Sequence, residues 1–387
     1  MRYWRYYRDC TGVFVGWAFR PSPERLGPQS KRRRAGCPSH VGLQIATCLS
    51  LLLLADPVIA GDSLQAQRRD MVDRGLKFLV SIQRDGAIGD DRPQAVTALF
   101  LLACLSSGVQ PGDAEYGPAL RAAYLWTLKN SDQAFLGGDK EPNADHALAA
   151  LALSEATGMA TNEQENLKLY SKAKAALQYS LEIQDQGVDP KFGGGWRPDD
   201  RTRVNDRVLT AWFLCELRSS QLRFENVSQG SLDRATEFLE ASQKGMDEPK
   251  EDERGGFSLG AAGLSVRSAS GAGLYALALA NADPARAELA RTWLAGHPPT
   301  WYGPHFYPTH FFAVRGFYRL RGADGGKAFD EYFARVVRLL RERQEPDGRF
   351  PFPPGHGGPI VAMGPGYSTA LGILILNVDR GYLPLDQ

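Results

Sequence analysis

A chain of 387 residues, 43% hydrophobic and 23% charged, has ordinary globular composition and the length of two average domains or one repeat fold. Its net charge of +1 is unevenly placed: residues 1–40 hold nine Lys/Arg against Asp9 and Glu24, a charge of +7, so with Asp56 counted residues 61–387 carry about −5. A mildly acidic body excludes nucleic acid as partner, because a phosphate backbone selects a basic face.

The basic arm ends in K-R-R-R (Lys31–Arg34), and an apolar run, V-G-L-Q-I-A-T-C-L-S-L-L-L-L (Val41–Leu54), follows. With the small-residue exit Val58-Ile59-Ala60 this is the pattern of a secretory signal cleaved after Ala60. Gln44, Thr47 and Ser50 dilute the run, which falls short of the ~20 apolar residues of a bilayer span. An uncleaved membrane anchor is the alternative. The sequence thus predicts a basic arm plus signal peptide or anchor over 1–60, an exported (periplasmic or extracellular) or anchored protein, and membrane contact only through 41–60. Cys10, Cys37 and Cys48 fall in this leader; Cys104 and Cys215 sit in apolar helical runs and read as small buried hydrophobes.

From residue 65 to 387 one unit recurs: an amphipathic helix ending in Gln, a glycine-rich loop closed by a large apolar residue, and a second, more apolar helix. Unit one opens with G-L-K-F-L-V-S-I-Q-R-D-G-A-I-G (Gly75–Gly89), Leu76, Leu79, Val80 and Ile82 marking a helical stripe, then A-V-T-A-L-F-L-L-A-C-L. Unit two is Arg121–Lys129, F-L-G-G-D, then A-D-H-A-L-A-A-L-A-L-S-E-A. Unit three runs from Ala175 through Gln184 and K-F-G-G-G-W to N-D-R-V-L-T-A-W-F-L. Unit four is Ala235–Gln243, R-G-G-F-S-L-G, then S-A-S-G-A-G-L-Y-A-L-A-L-A, with the charged insertion Gly245–Arg254 in its loop. Unit five is degraded, A-R-T-W-L-A-G-H-P-P-T-W-Y then Y-P-T-H-F-F-A-V-R-G-F, and unit six is Phe333–Phe352 then G-Y-S-T-A-L-G-I-L-I-L.

Gln83 to Gln184 and Gln243 to Gln344 each span 101 residues, with Lys129 and His297 at the intervening Gln positions, so the period is about 50. Six helix pairs without alternating strand patterns predict an all-α repeat fold. Apolar second helices belong in an inner ring and amphipathic first helices outside it. The Gln is placed to bond free loop groups, and Trp196, Phe257 and Phe350 to pack on the loop.

These units resemble the Q-W repeat of the prenyltransferase/squalene-oxidase repeat family, shared by squalene–hopene cyclases and protein prenyltransferase β-subunits. Asp145–Met159, Asp206–Trp212, the aromatic run Tyr302–Phe311 and the terminal R-G-Y-L-P are similar to an exported bacterial branch of it. The resemblance implies an (α/α)6 toroid around a central cavity. It implies a chemistry less well, because that toroid hosts several. Cyclases of the squalene–hopene type use Asp-x-Asp-Asp as acid; here the nearest string is Arg197–Asp200, R-P-D-D, with Arg at the first position. Asp199 and Asp200 read as a cap or as partners of Arg201 and Arg203. The prenyltransferase zinc pair Asp-x-Cys is absent, as is the thioester string Gly-Cys-Gly-Glu-Gln, so neither metal nor cofactor is expected.

Aligned at their first turns, the second helices offer Thr97; Asp145 and His146; Asp206, Arg207 and Thr210; Ser268 and Ser270; Thr309 and His310; Tyr367, Ser368 and Thr369. In a toroid these rim one mouth, where free amides and helix dipoles favour polar or anionic ligands. Capping accounts for Thr97, Ser268 and Ser368. Asp206, His146 and Asp145 are the candidate acid–base residues, against the alternative of a network tying helices together. A metal set from His146, His305 and His310 has loose H-x4-H spacing. Arg207, Trp212, Tyr302, His305, Tyr307, His310 and Tyr367 are the candidate cavity-binding residues, with core packing the alternative for the aromatics. The partner is then a small molecule or polymer. Three readings stand: a terpenoid-cyclase or prenyltransferase-like enzyme, a non-catalytic exported toroid binding glycan, peptide or lipid, and a polysaccharide-active enzyme.

Overall fold

The computed structural model describes residues 57–132, 134–224, 227–303, 305–354 and 359–386. The basic arm and the apolar run 41–54, with the export and membrane expectations they carry, lie outside the described residues, as does the middle of the Phe350–Pro359 loop.

The helices are α1 (Pro57–Ile82), α2 (Pro93–Ser106), α3 (Gly117–Lys129), α4 (Pro142–Ala156), α5 (Glu163–Glu182), α6 (Arg207–Gln221), α7 (Gln229–Glu240), α8 (Arg267–Ala280), α9 (Pro284–Gly296), α10 (Phe306–Arg319), α11 (Lys327–Arg343) and α12 (Gly364–Leu376). A helical turn at Pro359–Ala362 and three 3-10 turns complete the list, and among the described residues β-structure is limited to isolated bridges.

The even-numbered helices form the inner ring. Each packs on the next, and α12 packs back on α2, so the ring closes. They are apolar on every side because they are buried on every side: Ala95 to Ser106 of α2 are all inaccessible to solvent. The odd-numbered helices lie outside, with α3 packed on both α2 and α4, and α1 on both α12 and α2. Their apolar residues keep to one stripe, as Phe329, Tyr332, Phe333, Val336, Val337 and Leu340 do in α11.

Inside the ring the space is filled rather than open. Gly271 of α8 and Gly316 of α10 bring those two backbones together, for a Cβ on Gly271 would stand 2.7 Å from the Thr309 carbonyl oxygen and one on Gly316 2.7 Å from Leu274. Across the ring, the Trp212 ring of α6 packs on Phe311 and Phe312 of α10, with centroids 4.4 and 4.8 Å away.

The recurring glutamine of the repeat stitches consecutive outer helices. Gln184 donates from Nε2 to the carbonyls of Gly194 in its own loop and Ser231 in α7, at 2.8 and 2.9 Å. Gln83 makes the same pair of bonds to Gly86 and Ala119 of α3, and Gln243 to Gly255 and Arg286 of α9. Gln344 bonds Gly348 and, across the closure of the ring, Met71 of α1. The loop glycine must be glycine: Gly194 has φ +92°, and a Cβ there would lie 2.5 Å from the Arg234 carbonyl oxygen. Gly348 repeats this against Arg74 at φ +93°.

Candidate functional site

A second repeated bond fixes the loop to the start of each inner helix. The amides of Ile88, Trp196, Phe257 and Phe350 donate to the hydroxyls of Thr97, Thr210, Ser270 and Thr369. In unit two the Leu136 amide donates to His146 Nδ1 at 3.0 Å, so the histidine stands in the place of the Thr or Ser. With Nδ1 accepting, the proton sits on Nε2, which faces Ser180 Oγ of α5 at 3.0 Å. Burial depresses the His146 pKa to about 3, the ordinary state of an imidazole held neutral inside a core. Both nitrogens are spent on structure. Thr97, expected as a cap, is likewise a loop anchor.

Around the N-terminal mouth of the ring, units one, two, three and six bring charged groups together. Arg92, the residue before Pro93, donates from Nε to Asp145 Oδ1 at 2.7 Å and pairs through Nη1 with Glu141. Both Arg92 and Glu141 are the N-caps of helices whose first residue is proline, which points their side chains across the ring mouth rather than into a cap. Burial raises the Asp145 pKa, and the charge and hydrogen bonds of Arg92 oppose it without reversing it. Burial pulls Arg92 down, and the carboxylates of Glu141 and Asp145 more than restore it.

Asp206 caps α6, its Oδ1 accepting from the Leu209 amide at 2.7 Å while its own amide donates to the Trp196 carbonyl. Packed in by protein yet open at its edge, it has a raised pKa, chiefly from burial, then partly offset by the Leu209 amide and increased again by the nearby charge of Glu141. Tyr367 feels both Arg92 and Glu141, and burial pushes its phenol up. Its ring stacks on the half-buried Phe352 at 6.2 Å and 9°, and Tyr307 meets Phe352 edge-on while its hydroxyl donates to the Pro351 carbonyl at 2.7 Å. The mouth therefore presents three carboxylates from the starts of two inner helices, Glu141 and Asp145 of α4 and Asp206 of α6, with one guanidinium and an aromatic pair.

The remaining expected residues go elsewhere. Arg207 lies outward, its guanidinium 4.4 Å from the Phe238 ring centre of α7, because the first turn of α6 faces the outer layer there; burial lowers it to about 10. Trp212 is core. Tyr302 is 73% exposed on the surface. His305 caps α10 in the left-handed conformation, φ 57°. His310 faces Tyr332 of α11, Nδ1 to Oη 2.9 Å, and burial lowers its pKa to about 3. His146 turns toward α5 and His310 toward α11, so the loose histidine set does not converge. The R-P-D-D string crosses the start of α4, where the Arg197 and Pro198 carbonyls accept from Asn143, and Asp199 closes a turn on Arg201 and Thr202.

At the far end of the ring the C-terminal tail enters. Arg315 of α10 pairs with Asp386 at 2.8 Å and lies over Phe311, while the Leu385 amide donates to Glu155 of α4. Glu216 is wholly buried between α6 and α5 beside Ser180, and burial lifts it to about 8. Sequence reasoning passed over Arg92, Glu141, Glu155, Glu216 and Arg315. Their signal was present: a charge before a helix-opening proline, or a lone charge inside an apolar run such as L-C-E-L and A-V-R-G-F.

No protein-family model matches the chain, and no curated protein does. Solved structures do. An inactive variant of the GH76A α-1,6-mannanase of Salegentibacter sp., in complex with α-1,6-mannotriose, is similar at TM-score 0.56 and 12% identity over 80% of this chain and 98% of that one. The cellobiose 2-epimerase of Bacillus thermoamylovorans gives TM-score 0.56 at 11% identity, covering 82% and 99%. A type II terpene cyclase from Scytonema gives 0.52 at 16%, covering 83% and 99%. The chain is an (α/α)6 toroid. At these identities the likeness carries the fold, which the repeat resemblance implied, and leaves the chemistry to the site.

Proposed function

We propose that the toroid binds a sugar chain at its N-terminal mouth, with Asp206 and Glu141 able to act on it as an acid–base pair. The observation that carries this is the convergence of Glu141, Asp145 and Asp206 with Arg92 beside the stacked Phe352–Tyr367 pair. Sugar rings lie their apolar faces on aromatic surfaces and bond their hydroxyls to carboxylates and guanidinium groups. Asp206, whose pKa burial raises, supplies the acid; Glu141, partly open to solvent and braced by Arg92, supplies the carboxylate. Asp145 and Arg92 position Glu141, and Tyr367 backs the half-buried Phe352 that meets the sugar; none of the three touches the ligand, since all are almost fully buried.

The packed centre weighs against a terpenoid-cyclase reading. Enclosing a polyene takes an apolar lumen, and Trp212, Phe311 and Phe312 occupy that volume. The leader pattern of residues 1–60 supports an exported setting, where extracellular glycans are met.

The test is calorimetric titration of the full chain with a panel of manno-, cello- and N-acetylglucosamine oligosaccharides, together with a reducing-end assay. One member binds, and Tyr367→Ala and Glu141→Gln weaken it at least tenfold. Asp206→Asn keeps the helix cap, because Asn accepts the same amide bond, and abolishes turnover while leaving binding. The reading fails if the whole panel is ignored, or if Tyr367→Ala and Glu141→Gln bind as the parent does.

A further inference from the structure

We infer that the opposite face of the toroid, where the inner helices end, holds a second site, for a small molecule bearing a carboxylate or phosphate group. A cavity of about 590 Å³ opens there between α1, the end of α2 and the tail beyond α12, with Arg68, Arg69, Arg380, Ser107, Tyr116 and Tyr382 in its wall. That volume lies within the range of small-molecule sites, roughly 300–1,000 Å³.

The three arginines are not equivalent. Arg68 is 7% exposed and gives both terminal nitrogens to Asp379, at 2.8 and 2.6 Å, while its buried Nε has no partner. Arg69 and Arg380 make no side-chain hydrogen bond or ion pair with any described residue. The other acids of the wall are engaged: Asp73 takes Lys77 and the Tyr116 hydroxyl, and Asp113 takes the amides of Glu115 and Tyr116. Burial lowers Arg380 and the like charge of Arg68 lowers it further; Tyr382 and Asp379 oppose this without reversing it, and Arg69 adds a smaller lowering. An oxyanion between Arg69 and Arg380 relieves that repulsion and accepts two forks whose planar geometry matches a carboxylate or phosphate. Val72, Leu76 and Val109 give the body of the ligand an apolar floor. The site is independent of the glycan mouth.

The probes are inorganic phosphate, glucose 6-phosphate, citrate and glucuronate, added to the full chain at millimolar concentration against sodium chloride of equal ionic strength. At least one raises the melting temperature above the chloride control and gives a saturable calorimetric isotherm; the phosphate and carboxylate arms tell the two chemistries apart. Arg380→Ala and the exposed Arg69→Gln each weaken it by about tenfold or more, with the anion-free melting temperature unchanged, and Arg380→Lys falls between because it keeps charge but loses the fork. The inference is overturned if every probe matches chloride, or if both the Arg380 and Arg69 variants bind as the parent does.

Discussion

Replacing Gln184 by alanine tests whether the repeated glutamine holds the ring together. Gln184 is 3% exposed, and its Nε2 satisfies the carbonyls of Gly194 and Ser231 while its Oε1 accepts from Arg234 at 3.1 Å. The two lost Nε2 bonds are worth ~1 kcal/mol net each, and the buried carbonyls deprived of that donor add ~1–3 kcal/mol, so the variant is destabilised by about 3–5 kcal/mol, before any loss from the part-buried Arg234 bond. Gln243 offers an internal comparison. Its Nε2 has one good bond, 2.8 Å to the Arg286 carbonyl, and one stretched to 3.5 Å, while its Oε1 accepts from Arg286 Nε at 3.0 Å as Gln184 does from Arg234; in this half-buried setting its alanine variant loses less, about 1–3 kcal/mol. Gln184→Glu is no rescue, because a carboxylate cannot donate to a carbonyl. The assay is urea unfolding of the full chain followed by circular dichroism at the helix band. A loss within about 0.5 kcal/mol for Gln184→Ala, or a larger loss at Gln243 than at Gln184, refutes the stitch as a stabilising device.

Three other outcomes follow from the same geometry. Gly194→Ala loses about 2–4 kcal/mol in the same unfolding assay, because it combines a φ of +92° with a Cβ 2.5 Å from the Arg234 carbonyl oxygen. His146→Asn is more stable than His146→Ala by about 1 kcal/mol or more in chemical denaturation, since the Asn Oδ1 can still accept from the Leu136 amide and the alanine leaves that buried amide unpaired. Glu216 and Glu155, raised by burial to about 8 and about 7, hold protons when folded that the unfolded chain has released, so their contribution to stability falls as pH rises from ~4.3; above ~6.5, where the histidines no longer oppose it, melting temperature falls toward pH 8, and Glu216→Gln flattens the decline. His146 and His310, both lowered by burial to about 3, act with the opposite sign below ~6.5; they offset the glutamates between ~6.5 and ~4.3, and stability falls with dropping pH from ~4.3 toward 3.

The architecture was legible because a repeat states the same thing many times. Helix pairs, the inner and outer assignment, and the glutamine-to-loop bond could all be read from the spacing. What the spacing could not give was the second half of each stitch, the carbonyl of the next outer helix, since that partner is tens of residues away in sequence. The mouth was half legible. Asp145 and Asp206 stand at inner-helix starts and were found there, whereas Arg92 and Glu141 reach the mouth from positions just before proline, where an intrahelical pattern does not look. Arg207 went the wrong way for a related reason: residues at one helix start point both into the ring and out to the neighbouring layer, and sequence position alone does not separate the two.

The two units without a glutamine are held together in other ways. In unit two the stitch is reversed: Lys172 of the following outer helix, α5, reaches back to the carbonyls of Ser131 and Asp132 in the loop. In unit five Arg343 of α11 faces the loop through a cation–π contact instead, its guanidinium 5.8 Å from the Trp301 ring centre. A donor thrown from the next helix leaves the end of the first helix and its loop free to change, because the bond no longer depends on a residue fixed at the helix end. Those are the units that vary. Unit two supplies Glu141, Asp145 and His146, so there the side chains that depart from the repeat accompany a bond handed to a neighbour, whereas Arg92 and Asp206 reach the mouth from units one and three, which keep their glutamine.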